Sequence, residues 1–166
     1  SVKDSAENLT KNLAALQISA AAGSGRLQAI EQNDAGFVEI TSADYVFANK
    51  SAVLTMMDSN SIKINVSDAD ISKVDDMFGD PQVNMFSVKD TAANLVVATS
   101  MGDGTNPGSL DAALAKISAI KIDGGGVLSL TGDQYVSNSI ANGVLSKLGT
   151  YEATVTGLAA DGVAAA

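Results

Sequence analysis

Residues 2–9 read VKDSAENL, and residues 88–95 read VKDTAANL. The match continues further along. Residues 27–46, LQAIEQNDAGFVEITSADYV, align with residues 117–136, ISAIKIDGGGVLSLTGDQYV. Shared positions include Ala29/Ala119, Ile30/Ile120, Gly36/Gly126, Thr41/Thr131, Tyr45/Tyr135 and Val46/Val136. Two matching blocks in the same order point to a unit that was copied, and copied segments are expected to fold alike. We therefore divide the chain into a first repeat over residues 1–86 and a second over 87–166. The opening motif has two fainter echoes, NVSDADISKV (65–74) and TVTGLAADGVAAA (154–166). On this reading each half ends by starting another copy.

Val2 and Val88 read as the ends of strands. Asp4 and Asp90 then read as helix N-caps, with Glu7 at capping-box distance from Asp4. In AENLTKNLAALQISAAA, Leu9, Leu13, Leu16 and Ala20 share one helical face, and Gly23-Ser24-Gly25 stops the helix. The second copy begins the same helix with AANLVVATSM. It is interrupted by GDGTNPG and resumes as SLDAALAKI, with Ser109 as its cap. LQAIEQ and ISAIKI read as strands, and NDAG and DGGG as hairpin turns. FVEIT and VLSLT alternate as half-buried strands. Thr41 or Ser42, and Thr131, cap second helices over DYVFANKSAVLTMM and QYVSNSIANGVLSKL, after which SIKINV and YEATV return as strands. Each unit is thus expected to run strand, helix, hairpin, helix, strand. The expected fold class is α/β: two tandem repeats, a sheet covered by helices, solenoid-like. Residues 77–86, MFGDPQVNMF, read as a connection stiffened by Pro81.

The chain contains no His and no Cys. Ser-His-Asp and Cys-His catalysis are therefore excluded, as are disulfides and thiolate metal sites. Acidic pairs are plentiful, but with aromatics at 4% and no Trp there is little platform for sugar stacking, so we expect no glycosidase and no enzyme. A formal charge of −9 argues against nucleic acid and anionic lipid as partners. No apolar run is long enough to span a bilayer, so no membrane insertion is expected. No charged-then-apolar leader opens the chain, and we expect any leader to be absent or already removed. Calcium is the one cofactor considered. Its candidate ligands are Asp103 and Asn106 in the inserted loop and Asp123 in the DGGG turn. A second acidic cluster comprises Asp68, Asp70, Asp75, Asp76 and Asp80. Tyr45 and Tyr135 occupy equivalent positions and read as packing residues.

The phrases SVKDTAANL, AALAKISAIKIDGGGVLSLTGDQY and LGTYEATVTGLAADGVAAA resemble repeats of very large bacterial surface proteins. These include RTX-type adhesins and S-layer-like or haemagglutinin-like proteins exported by one-step secretion. The resemblance spans nearly the whole chain and is closer in the second copy. The first copy departs at IEQNDAGFVEI, which lacks the usual Thr-Asp turn, and the insertion MGDGTNPG is unusual. The resemblance implies an extracellular, non-enzymatic building block at a bacterial cell surface, one that stacks or polymerises. It assigns no binding residue.

Because the chain ends in the motif with which it begins, we expect head-to-tail assembly with copies of itself into a fibre, layer or adhesin stalk. The assembly residues would be Val2, Asp4 and Leu9 at the start and Val155, Leu158 and Val163 at the end. The alternative is a monomeric adhesin module that recognises a cell-surface glycan or protein through the inserted loop, with or without calcium.

Overall fold

In the computed structural model of the chain, which describes residues 1–21, 27–45, 52–57, 62–100, 110–139 and 143–157, strand β1 (Val2–Asp4) runs directly into helix α1 (Ala6–Lys11). The first N–H groups of a helix have no partner within it, so a junction this short depends on side chains to accept them. Ser5 is the N-cap, with extended backbone and its Oγ accepting the Asn8 N–H at 3.3 Å. Asp4 supports it from one residue earlier: Oδ1 accepts the Ser5 N–H at 2.8 Å and the Asn8 side-chain amide at 2.7 Å. The cap therefore falls one residue later than the sequence suggests. The short serine hydroxyl sits three residues before the N–H it accepts, which is the geometry a cap requires. Glu7 pairs with Lys11 one turn on instead of reaching back.

The second copy repeats this junction. Strand β5 (Val83–Asp90) leads into α5 (Ala92–Ser100). Asp90 Oδ1 accepts the Thr91 N–H and the Asn94 side-chain amide, each at 2.7 Å, and Thr91 Oγ1 accepts the Asn94 N–H at 3.3 Å. Here too the hydroxyl residue, not the aspartate, is the cap.

After α1 the chain continues through α2 (Leu13–Ala21) to β2 (Ile30–Gln32), which lies parallel to β1 with Val2 opposite Ile30 and Asp4 opposite Gln32. In the second copy α6 (Leu110–Ala113) precedes β6 (Ile117–Ile122), parallel to β5 with Val88 opposite Ile120 and Asp90 opposite Ile122. The register is the same. Next come β3 (Val38–Thr41), α3 (Ala52–Met56) and β4 (Ile64–Ala69), with β3 parallel to β4. Their counterparts are β7 (Val127–Thr131), α7 (Gly132–Ser139), a 3-10 turn over Val144–Lys147, and β8 (Glu152–Thr156), with β7 parallel to β8. A 3-10 turn over Ile71–Lys73 and helix α4 (Val74–Gly79) lie between β4 and β5. The fold is mixed α/β, built of parallel strand pairs and helices, with no closed barrel among the described residues.

Two expectations need correction. The hairpins do not form: NDAG and DGGG turn the chain, but β2 pairs with β1 and β3 with β4, and likewise β6 with β5 and β7 with β8. Each strand is the arm of a strand–helix–strand crossover, so the turn passes the chain from one pair to another. Residues 83–86, read as connection, begin strand β5; Pro81 stands just ahead of it, where the missing N–H costs nothing.

The chain divides into two compact units, Ser1–Ser67 with Gly79–Met85, and Asp68–Phe78 with Phe86–Ala166. The core of the first includes Leu9, Ile30, Val38, Ile40, Val53 and Leu54; the core of the second includes Leu95, Ile120, Leu128, Leu130, Val144 and Leu145. Ile30 bridges to Met57 and Ile120 to Leu148, so α3 and the Val144–Lys147 turn deliver equivalent pairs of aliphatic side chains. With few aromatics, these cores depend on close approach of backbone to backbone. The turn after β2 shows how close. A Cβ on Gly36 would lie 2.9 Å from the Ala6 Cβ, and one on Gly126 would lie 3.3 Å from the Ala92 Cβ. In the first unit the turn is also tied to the helix start, Asp34 Oδ1 accepting the Ala6 N–H at 3.1 Å. That bond holds the Asp34 carboxyl below the ordinary aspartate range.

Gly36→Ala is expected to lower stability by about 1–3 kcal/mol through overpacking against Ala6. Chemical denaturation of the variant beside the wild type checks this.

Candidate functional site

Equivalent residues in the two units differ in what covers them, and the difference lies along strand edges. In the second unit Asp90 is 9% exposed. Its Oδ1 serves the helix cap, while its Oδ2 accepts the Ile71 N–H at 2.9 Å. Nearby the Asp68 N–H donates to Ser87 Oγ at 2.9 Å. Asp68 takes a left-handed backbone, φ 58°. That conformation turns the chain at the end of β4 so that Ile71 reaches Asp90. Burial pushes the Asp90 pKa upward and is the largest single influence, but the donors from Ile71, Asn94 and Thr91 together outweigh it and hold the carboxyl below the ordinary value of 3.8.

The first unit has the same strand end without that cover. Asp4 is half-buried, and both of its hydrogen bonds end on Oδ1. Its Oδ2 takes none among the described residues. Val2 is half-buried where Val88 is fully buried. Ser1 holds the position of Ser87.

A complementary difference separates β4 from β8. In the first unit Ile64 and Val66 of β4 are 0% and 2% exposed. The Ile64 N–H donates to Gln82 O at 3.0 Å, the Asn84 side chain donates to Asn65 Oδ1 at 3.0 Å, and Lys63 Nζ donates to Pro81 O at 2.9 Å. The buried Tyr45 hydroxyl donates to the buried Asp80 carboxylate. Register places Ala153 and Val155 of β8 where Ile64 and Val66 stand, since Leu128 and Leu130 pair with them as Val38 and Ile40 pair with the earlier residues. Yet Ala153 is exposed and Val155 half-buried, and among the described residues β8 pairs with β7 alone. Gly157, φ 71°, follows β8, and Asp68, also left-handed, lies one residue before the end of β4. Tyr135, the counterpart of Tyr45, is half-buried. Partial burial, then the neighbouring Tyr135, pushes the Tyr151 pKa up.

Of the residues singled out for assembly, Val2, Asp4 and Val155 lie on these incompletely covered strands. Leu9, 1% exposed, packs inside its own unit. Leu158 and Val163 lie outside the described residues, as do Asp103 and Asn106 of the inserted loop. Asp123 forms an ion pair with Lys89 at 2.9 Å. Asp68 lies 3.6 Å from Lys121, Asp70 accepts the Ser72 hydroxyl, and Asp75 and Asp76 occupy the first turn of α4. Among the described residues no group of three or more acidic side chains is placed to hold a metal ion. No described helix is long and apolar enough to cross a membrane. Sequence reasoning passed over Ile71 and Ser87. The available signal was the serine that opens both copies of the motif. Chemically the arrangement offers backbone donors and acceptors along strand edges and a carboxylate oxygen without a donor. No known protein family, no curated protein and no solved structure matches this chain.

Asp90→Asn is expected to cost about 1–3 kcal/mol at pH 7, because an amide N–H₂ must then face a buried N–H or abandon the cap. A carboxylate whose pKa is lower in the folded chain stabilises the fold while ionised. That contribution is complete above the ordinary value of 3.8 and is lost as pH falls from there through the folded value. Denaturation at pH 7 and pH 3 should therefore show a smaller acid loss for Asp90→Asn than for the wild type. Tyr45→Phe removes a donor from buried Asp80 and is expected to cost about 1–3 kcal/mol, with Tyr135→Phe within about 0.5 kcal/mol of wild type. The contrast is read by melting both variants together.

Proposed function

We propose that this chain is an extracellular structural subunit of a bacterial surface, a tandem of two copies that assembles head to tail into a fibre, layer or adhesin stalk. On this reading it is not an enzyme, and its partners are copies of itself. The observation that carries the reading is the complementary pair of half-covered strands. β1 carries the residues that β5 uses to receive β4, and β8 occupies the position of β4 without the cover that β4 receives. Exposed strand edges are templates for pairing with another chain, and a protein that keeps matched ones is suited to association. The sequence resemblance to repeats of large surface proteins agrees with this role, as does a net charge of −9, which suits a protein working without nucleic acid or anionic lipid.

A second reading has one observation in its favour. A groove of about 570 Å³ in the second unit is lined by Asp70, Ile71, Ser72, Asp90, Asn94, Val97 and Ala98. Its mix of polar and apolar walls, with Val97 exposed, fits a monomeric adhesin module that holds part of a glycan or protein. Calcium dependence stays with this second reading: of its candidate ligands Asp123 pairs with Lys89, and Asp103 and Asn106 lie outside the described residues.

Sedimentation velocity across a hundredfold range of concentration separates the two. Assemblies that grow with concentration, and filaments or sheets by negative-stain electron microscopy, are expected. A monomer at every concentration would favour the binding module.

A further inference from the structure

We propose that the Asp80–Pro81 peptide bond is a self-cleavage site, which the fold activates by holding the Asp80 side-chain carboxyl beside its own backbone carbonyl. The inference does not depend on the assembly reading.

This is the one Asp–Pro bond in the chain. Asp80 is 8% exposed and sits in a turn whose next residue, Gln82, is 1% exposed. The carboxyl is gripped on both oxygens: Oδ2 accepts the buried Tyr45 hydroxyl, and Oδ1 accepts the Gln82 N–H at 2.8 Å. The following N–H, that of Val83, donates to the Asp80 backbone oxygen at 3.2 Å. Successive N–H groups therefore hold the carboxyl and the carbonyl of one residue on the same side of the turn. Tyr45 and residues 80–83 all belong to the first unit.

An aspartate before most residues can cyclise to a succinimide through the next backbone N–H. Proline has no N–H, so that route is closed at Asp80. The remaining intramolecular reaction is attack on the residue's own carbonyl. A side-chain oxygen bonds to the backbone carbonyl carbon, a five-membered cyclic anhydride closes, and the C–N bond to Pro81 breaks. The carboxyl proton passes to the Pro81 nitrogen, which leaves as a secondary amine. Water then opens the anhydride, and Asp80 becomes an ordinary C-terminal residue. The Val83 N–H already faces the oxygen on which negative charge develops. A free chain must find the reactive rotamer by rotation, whereas here the carboxyl is fixed before the reaction starts. Water is consumed only after the bond has broken, so the burial of Asp80 does not oppose the first step.

The cut leaves the segment beyond it anchored. Within the first unit the Ile64 N–H donates to Gln82 O, Lys63 Nζ to Pro81 O, and the Asn84 side chain to Asn65 Oδ1. The nicked chain is thus expected to keep its native elution volume and to separate into two pieces only in denaturant.

The test is to hold the purified chain in mildly acidic buffer below its melting temperature and follow intact mass with time. Two fragments are expected, residues 1–80 and 81–166, appearing at a rate independent of protein concentration. The folded chain should cleave at least about tenfold faster than the same chain unfolded by guanidinium chloride in the same buffer. A folded rate equal to or below the unfolded rate overturns the proposal, as does cleavage at another bond or no cleavage. Asp80→Asn removes the attacking carboxyl, and Pro81→Ala removes the labile leaving group while keeping that carboxyl. Each should abolish the two fragments. Where Asp80→Asn does not fold, Pro81→Ala decides, with its melting curve confirming the fold. Fragments formed by folded Pro81→Ala at the wild-type rate overturn the proposal.

Discussion

Parallel strands cannot be joined by a two-residue turn, because the chain must return to the starting end before it can run in the same direction again. That constraint shapes each unit. β1 and β2, β3 and β4, β5 and β6, β7 and β8 are parallel neighbours, and each pair is separated in sequence by helix. With strands of three to eight residues there is little room for a loop between strand end and helix start. The junction is therefore made by side chains. An aspartate closes the strand, a serine or threonine caps the helix, and an asparagine one turn later bonds to both. The glycine that follows the next strand lets the following turn come down onto the first helical alanine. Both junctions use this whole set, and the residues that make it are among those that stretches 2–9 and 88–95 share.

The junction also explains why the aspartate, rather than asparagine or serine, suits both the covered and the uncovered copy. A carboxylate removed from water needs several donors. Asp90 has three and is nearly buried; Asp4 has two and remains half-exposed. The same residue thus tolerates solvent and rewards a well-placed N–H. Together with exposed Lys3 it keeps a short open edge from pairing with arbitrary strands, which is how natural sheets protect their edges.

Much of this was legible in the sequence because the signals are local. VKDSAENL and VKDTAANL announce the strand-to-helix junction twice, and VEIT and VLSLT show by alternation which side faces a core. What sequence pattern does not carry is the identity of a strand's neighbour. Asp34 to Gly36 and Asp123 to Gly126 signal a change of direction, and hairpin and corner use the same residues for it. Alternation is equally silent, since β3 buries Val38 and Ile40 whichever strand lies beside it. The 83–86 segment was hidden by Pro81, which marks a break without saying that a strand begins two residues later. The Ile71–Asp90 bond was hidden for a different reason: it joins residues nineteen positions apart through a left-handed turn at Asp68, where the sequence gives no glycine to betray it.

Asp68 and Gly157 show how the two strand ends differ. At Asp68 the left-handed backbone costs about 1 kcal/mol for a residue with a Cβ, and the side chain offsets part of this by lying near Lys121. Gly157 adopts the same backbone without penalty and without a side chain to engage anything. An internal strand end, held on both sides by its own chain, can bear a strained residue, because the surrounding structure fixes its conformation. Among the described residues the end of β8 is paired on one side alone, by β7, and glycine lets it reach the turn unaided. β1 and β8 are different surfaces, so on the proposed head-to-tail reading joining them leaves one of each unused at every step. A contact of that kind does not close on itself by two-fold symmetry, and it propagates unless the accumulated rotation happens to complete a ring.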